Sequence, residues 1–331
     1  MPRPTPFTPR LGLLTFGHFT IDTYSSFFAP LLPLLVKKLD LNLTLVGTLV
    51  ALASVTSSFS QPLFGLLSDR LRRPWFVAFG PLVAAVFMSG LGLAPNYASL
   101  VALLMLAGLG VAAFHPQSAA LVMATSERRG MAMAYFITGG TIGFSAGPIF
   151  AVAIVSAYGL ERTWLAAIPG ILVSGLLLAW FVRVPPRERH EMKPPPLRRL
   201  RPVAWPLSLL YLATVARSSV SYGFMTFLSL YLTGRGYSLG ASGVIVSLYL
   251  LLGSLGGFLG GWLSDRMGGG RVILLSFVTA APLYVAFLIL PDRAGIPCLI
   301  AGAFLLQSSL PVNVVLGQEL SPEHSSTIAS L

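Results

Sequence analysis

The sequence predicts an all-α, polytopic membrane protein made of two pseudosymmetric helical bundles, six spans followed by four. Three observations carry that expectation. Hydrophobic residues make up 55% of the chain and charged ones 10%, with a mean hydropathy of +0.79, far from the roughly 25% charged composition of soluble domains. The apolar runs approach or exceed the roughly 20 residues needed to cross a bilayer. Finally, Gly65-Leu66-Leu67-Ser68-Asp69-Arg70 and Gly261-Trp262-Leu263-Ser264-Asp265-Arg266 repeat one another at an offset of 196 residues. Solenoid periods are roughly 20 to 50 residues, so this distance means two multi-helix halves. In a membrane chain such halves point to a transporter.

Hydropathy places the first six spans at Leu11 to Val36, Leu43 to Leu67, Trp75 to Ala94, Tyr97 to Ala124, Met131 to Tyr158 and Thr163 to Val184, an N-terminal bundle over residues 1–184. The first is too long for a signal-peptide core and lacks a clear small-residue cleavage site, so it is expected to be retained. From 185 to 204 the chain is basic and rich in proline, with Pro194, Pro195 and Pro196 in succession. Such a stretch cannot sustain a helix and is expected to be a cytoplasmic linker. Residues 205–331 then supply Trp205 to Thr233, Leu239 to Leu263, Val272 to Leu290 and Ile296 to Gly317, an incomplete second bundle. The chain stops where the repeat calls for an eleventh span. A truncated reading frame or fragment is the expectation, with a natural ten-span protein as the alternative.

Charge orients these spans. Sixteen of the 22 lysines and arginines fall on one face, five (Lys37, Lys38, Arg162, Arg235 and Arg293) on the other, and Arg217 within a span. The excess places the crowded face and the N-terminus in the cytoplasm, which means an inner, cytoplasmic membrane for a multi-pass chain. Trp75, Trp164, Trp180, Trp205 and Trp262 all fall near predicted span ends, where indole rings favour the headgroup level. The single cysteine, Cys298, excludes an internal disulfide. The net charge of +11 is topological, so no nucleic-acid partner is expected.

A charge at the bilayer centre costs about 2.5 to 3.5 kcal/mol on insertion scales, so ionisable residues inside spans are functional candidates. Four stand out: His18 and Asp22 in the first span, His115 in the fourth and Arg217 in the seventh. Asp22 and Arg217 are 195 residues apart, matching the repeat offset to within one residue and putting each on the first helix of its half. They are expected to face one cavity, with Asp22 carrying a proton and Arg217 holding an anionic group; a buried ion pair that only locks the halves is the alternative. His18 precedes Asp22 by four residues and shares its helix face, so its ring is placed to relay a proton or to bond a backbone carbonyl. In Phe114-His115-Pro116 the proline is expected to open the helix where the ring meets the cavity, and His115 is a candidate for both proton coupling and substrate contact. Gln307 and Asn313 in the tenth span add candidate hydrogen bonds to substrate.

Glycine marks close helix approach at Gly139, Gly140, Gly143 and Gly147-Pro148 in the fifth span and at Gly253, Gly256, Gly257, Gly260 and Gly261 in the eighth. In the duplicated loops, Asp69 and Asp265 are placed to act on positive helix ends while Arg70, Arg73 and Arg266 meet carbonyl ends or lipid phosphates, a gate latch. There is no Gly-x-x-x-x-Gly-Lys-Ser/Thr loop for ATP and no His/Cys cluster at metal spacing, so neither cofactor nor metal is expected and an ion gradient supplies the energy. No nucleophile, base and orienting group assemble from these motifs, which argues against an enzyme.

Gly65-x-x-x-Asp69-Arg70-x-x-Arg73 resembles the loop motif between the second and third helices of the major facilitator superfamily, and Gly261 to Arg271 resembles its second copy. Gly143-x-x-x-Gly147-Pro148 is similar to the fifth-helix motif of that superfamily's drug/proton antiporters. Gly17-His18-Phe19-x-x-Asp22, Gln61-Pro62-Leu63-x-Gly65 and Phe114-His115-Pro116-x-Ser118 together resemble its fosmidomycin-resistance transporters. The resemblance implies two bundles alternating access to a central site lined by the first, fourth, seventh and tenth spans. The expected activity is proton-coupled export of a small drug-like or anionic molecule by a monomer in the bilayer, with protons and substrate as partners. A symporter importing an organic anion stays open, as does a non-transporting sensor or scaffold whose basic linker, Arg187 to Arg201, binds a partner or anionic lipid.

Overall fold

The computed structural model describes residues 8–71, 73–124, 129–181 and 201–320. They form twelve α-helices and no strand. In chain order these are α1 (Pro9–Ser25), α2 (Phe28–Leu39), α3 (Leu43–Arg70), α4 (Trp75–Ser89), α5 (Tyr97–Met123), α6 (Arg129–Tyr158), α7 (Ala167–Phe181), α8 (Ala204–Gly234), α9 (Leu239–Met267), α10 (Gly269–Ile289), α11 (Asp292–Gln307) and α12 (Ser309–Leu320). Short 3-10 turns extend α4 over Gly90–Leu93 and precede α7 over Leu160–Ala166. Ten segments of the described chain are long and apolar enough to cross a membrane. Phe59 and Trp205, 79% and 74% exposed, show how much apolar surface the fold leaves outside its own core, which is affordable where the solvent is hydrocarbon.

Helix starts follow from their caps. The Thr8 hydroxyl accepts from the Leu11 N–H at 3.1 Å, Asn42 caps α3 through the Leu45 N–H, and Asn96 and Ser99 close a reciprocal capping box on α5. These side chains satisfy amide donors that a first helical turn leaves without partners. Lys37 and Lys38 occupy the last turn of α2, complementing its negative end, and Lys38 Nζ donates to the Gly92 carbonyl at 2.6 Å.

Two expected continuous spans are broken, and proline explains both. Proline has no N–H to offer the carbonyl four residues earlier and its ring crowds that carbonyl. For Pro30 this is the carbonyl of Ser26, where α1 gives way to α2; at the same residue the hydroxyl donates to the Phe144 carbonyl at 2.7 Å. For Pro311 it is the carbonyl of Gln307, the last residue of α11. Pro116 behaves differently. Helix α5 runs from Tyr97 to Met123 without interruption, so the expected opening of the backbone at His115 does not occur. The expected linker is also shorter at its end: residues 182–200 lie outside the described ones, and from Arg201 the chain is already helical.

The chain divides into two compact units, Met1–Arg189 with Leu228–Ser247, and His190–Phe227 with Leu248–Leu331. In the first, α1 packs along α6, α4 against α5 and α7, and α3 along α5. Glycines permit the α1–α6 approach: a Cβ at Gly143 would strike the Phe19 carbonyl, and one at Gly147 would strike Ser26 and the Thr23 carbonyl. Tyr24 adds a polar lock, its hydroxyl donating to the Ala166 carbonyl at 2.6 Å and accepting from the Gly170 N–H at 3.1 Å. In the second unit α9 and α11 meet in the same manner, Gly256 against the Phe304 carbonyl and Gly260 against that of Ser308. Phe224, Tyr249, Tyr284 and Phe287 form its aromatic core, with Phe224 stacked on Tyr284 at 4.7 Å between centroids.

Candidate functional site

The first unit gathers three of the four intramembrane candidates into one group. Asp22 and His18 stand one turn apart on α1, and α5 brings His115 across from a position 93 residues further on. His18 Nε2 lies 3.2 Å from Asp22 Oδ2, and His115 Nε2 lies 3.2 Å from Asp22 Oδ1. One carboxylate thus faces two imidazoles, one on each oxygen. Their side chains are 9%, 16% and 28% exposed for His18, Asp22 and His115, so the group is enclosed while His115 keeps the widest opening.

Each ring is held from behind. His18 Nδ1 is 2.8 Å from the Phe136 carbonyl, and the ring stacks on Phe136 with centroids 4.0 Å apart. His115 Nδ1 is 2.9 Å from the carbonyl of Val111, one turn earlier in its own helix. The two imidazoles meet edge to face with centroids 5.2 Å apart. Room for the group comes from Gly140 on α6, where a Cβ would lie 2.5 Å from His18 Nε2 and 2.7 Å from Asp22 Oδ2. Sequence reasoning placed Gly140 among packing glycines and passed over Phe136. Only the placement of α6 against α1 exposes their part, because a backbone carbonyl leaves no trace in residue type.

The atoms of His18, Asp22 and His115 able to bind a metal lie within 4.8 Å of one another, a grouping that sequence spacing did not disclose. The imidazoles address different oxygens of the carboxylate, an arrangement suited to two hydrogen bonds rather than to one shared centre.

In the second unit Arg217 stands midway along α8 and is 7% exposed. Its guanidinium donates to Gln307 Oε1 at 2.9 Å and to Ser218 Oγ at 3.1 Å, while Nε is buried without a hydrogen-bond partner. Among the described residues of this unit no carboxylate pairs with it. Asn313 on α12 donates through Nδ2 to Thr214 Oγ1 at 3.3 Å, leaving its buried Oδ1 free. Arg217, Gln307, Thr214 and Asn313 therefore form a polar group around an uncompensated buried cation. An enclosed guanidinium with spare donors favours an anion. The break after Gln307 sits at this group, so the carbonyl that Pro311 leaves without an amide belongs to the residue that bonds Arg217.

The duplicated loops are seen in part. A Cβ at Gly65 would lie 3.8 Å from Pro116 Cβ, whereas one at Gly261 would meet open space. The side chains of Asp69 and Arg70, and all of Arg72, lie outside the described residues. Arg73 lines a cleft with Trp75 and Phe181. In the second copy the Arg266 guanidinium lies 3.6 Å over the Trp262 ring, a cation–π contact suited to the headgroup level.

Similarity to known proteins agrees with this architecture. The sequence model of the Major Facilitator Superfamily matches residues 14–331. The chain is 27% identical to the fosmidomycin resistance protein of Escherichia coli strain K12, over 97% of this chain and 81% of that protein. It is 24% identical to the multi-drug resistance efflux pump PmrA of Streptococcus pneumoniae serotype 4, over 83% and 72% respectively. Among solved structures, a bacterial homolog of the human lysosomal transporter Spinster, inward-facing and occupied, superposes with a TM-score of 0.81 at 20% identity, covering 97% of this chain and 76% of that one. With ten membrane-capable segments in a fold of this kind, the chain belongs to the Major Facilitator Superfamily: it is a multi-pass membrane transporter of small molecules, and not an enzyme.

Proposed function

We propose that this transporter is a proton-coupled exporter, an antiporter that expels small anionic or drug-like compounds by alternating access. It works as a monomer in the cytoplasmic membrane with its N-terminus inside. The observation that carries this reading is the Asp22 carboxylate inside a span with an imidazole 3.2 Å from each of its oxygens. A group of this composition changes charge by gaining or losing protons, and a change of charge inside a membrane protein shifts the balance between two conformations. Asp22 carries the proton, His18 and His115 share it, and Arg217 with Gln307 and Asn313 binds the anionic part of the substrate. Gly65, Asp69, Arg70, Arg73, Gly261, Asp265 and Arg266 act as the gating loops. The names of the resistance and efflux relatives support export and make fosmidomycin the first compound to try.

Everted membrane vesicles test this directly. With an acid interior the wild type is expected to accumulate fosmidomycin, and Asp22→Asn to lose the accumulation driven by the pH gradient. Unchanged gradient-driven accumulation by Asp22→Asn overturns the coupling role.

A second reading keeps the fold and reverses the traffic, with a symporter importing an organic anion. It is favoured by the buried Arg217, which no carboxylate among the described residues of its unit neutralises. Uptake driven by acid outside the vesicle rather than inside identifies this case.

A further inference from the structure

The hydrogen-bond geometry around Asp22 counts protons. A carbonyl oxygen accepts and never donates, so the contacts of His18 Nδ1 with the Phe136 carbonyl at 2.8 Å and of His115 Nδ1 with the Val111 carbonyl at 2.9 Å require a proton on each Nδ1. The tautomer of both rings is thereby assigned from the network. Each Nε2 is left to face the carboxylate, His18 on Oδ2 and His115 on Oδ1, at 3.2 Å in both cases.

With no further proton, both contacts set a nitrogen lone pair against a carboxylate lone pair. One proton repairs one contact and leaves the other repulsive. Two protons turn both into hydrogen bonds, whether they reside on the two rings or on one ring and the carboxyl. The net charge of the group then runs from −1 when empty to +1 when full.

Among the described side chains of the helices packed around the group, none competes for this role. On α1 the remaining titratable side chains are Arg10, at the opposite end of the helix, and Tyr24, committed to Ala166 and Gly170. Helix α5 adds only Tyr97, bonded to the Leu45 carbonyl. On α6, Tyr135 and Tyr158 are 43% and 52% exposed and the face turned to Asp22 is Gly140; Arg129 is the first residue of the helix, and its side chain lies outside the described residues. Helices α4 and α7 carry no titratable residue.

We infer that His18, Asp22 and His115 form a two-proton store, filled and emptied by two protons in each transport cycle. This rests on the proton-coupling reading and adds its stoichiometry. The three groups are equivalent partners in holding the load: neither histidine is a spectator that merely orients the acid. Gly140 keeps the space in which both Nε2–O contacts can form.

The chain has four histidines, so the double variant His190→Gln/His324→Gln leaves only the two rings of interest for 15N NMR of the full chain in lipid nanodiscs. Asp22 is followed through its 13C carboxyl shift. On acidification, Nδ1 of both rings is expected to be protonated throughout, and the protons summed over both Nε2 atoms and the carboxyl to rise by two. A sum of one, or a neutral ring carrying its proton on Nε2 rather than Nδ1, overturns the store. As a second measurement, initial rates of fosmidomycin uptake in everted vesicles are expected to vary with the square of interior proton concentration for the wild type and with its first power for His115→Gln. First-order behaviour in the wild type removes the second proton but leaves coupling through Asp22 intact. Loss of the coupling reading shows up separately, as gradient-driven uptake that survives Asp22→Asn.

Discussion

His18 and Asp22 illustrate how far one residue pair can be traced in a sequence. Their four-residue spacing sets both on one helix face, and the structure brings them to 3.2 Å. His115 is 93 residues away from Asp22, and no local pattern joins it to them. The third member of the group therefore comes from packing, as does the Phe136 carbonyl that fixes the His18 ring. Gly140 provides a sharp test at this scale, because a methyl there would sit 2.7 Å from Asp22 Oδ2 and 2.5 Å from His18 Nε2. Gly140→Ala is expected to push the two side chains apart and lower proton-driven fosmidomycin uptake at least tenfold. Gly175→Ala, which adds a methyl where nothing lies within 4 Å, leaves uptake unchanged. Arg217 gives the complementary test in the second unit. Its planar fork reaches Gln307 and Ser218 together, a geometry that an ammonium cannot copy. Arg217→Lys is accordingly expected to weaken binding of anionic compounds, and Arg217→Gln to abolish it, with neutral compounds affected less; ligand-induced shifts in thermal melting check the order.

Element length was legible because hydrocarbon thickness sets it, and expected and observed bounds differ by only a few residues at most helix ends. Helix continuity was harder to foresee. An apolar run does not reveal where an amide is missing, and three prolines in similar runs have different outcomes: the chain breaks four residues before Pro30 and Pro311 but passes through Pro116. At Ser26 the Phe144 carbonyl takes up the hydroxyl, and at Ser308 the carbonyl sits where a Cβ on Gly260 would strike it, so neighbouring helices approach closely at both breaks. Pro311→Ala restores the amide that Gln307 lacks and is expected to join α11 to α12. Slower amide hydrogen exchange over residues 307–313, together with weaker anion binding as Gln307 turns from Arg217, is the expected pair of signs. The glycine seam between α1 and α6 predicts a different kind of loss. A Cβ at Gly143 collides with the Phe19 backbone rather than with a side chain able to move. Overpacking of this sort costs about 1–3 kcal/mol, so Gly143→Ala is expected to lower the melting temperature in detergent, whereas Gly261→Ala, with open space around it, leaves it unchanged.

At the scale of the whole molecule the architecture was legible in bulk quantities, apolar length for the spans and one duplicated loop for the two halves, while charge supplies an expected orientation. The sites were less visible because each depends on which helices meet, and hydropathy is blind to that. Orientation leads to the last prediction. Basic side chains avoid translocation, so the face holding most of the arginines is expected to stay in the cytoplasm. Arg271, at the start of α10, belongs to that face; Arg235, just after α8, and Arg293, at the start of α11, belong to the other. With Cys298, the only native cysteine, replaced by serine, single cysteines at 235, 271 and 293 report the two sides. A membrane-impermeant maleimide is expected to label Arg235→Cys and Arg293→Cys in intact cells whose outer barrier has been removed. Arg271→Cys should react only after the membrane is opened. The opposite pattern would place the N-terminus outside and reverse the direction assigned to every proton and substrate movement.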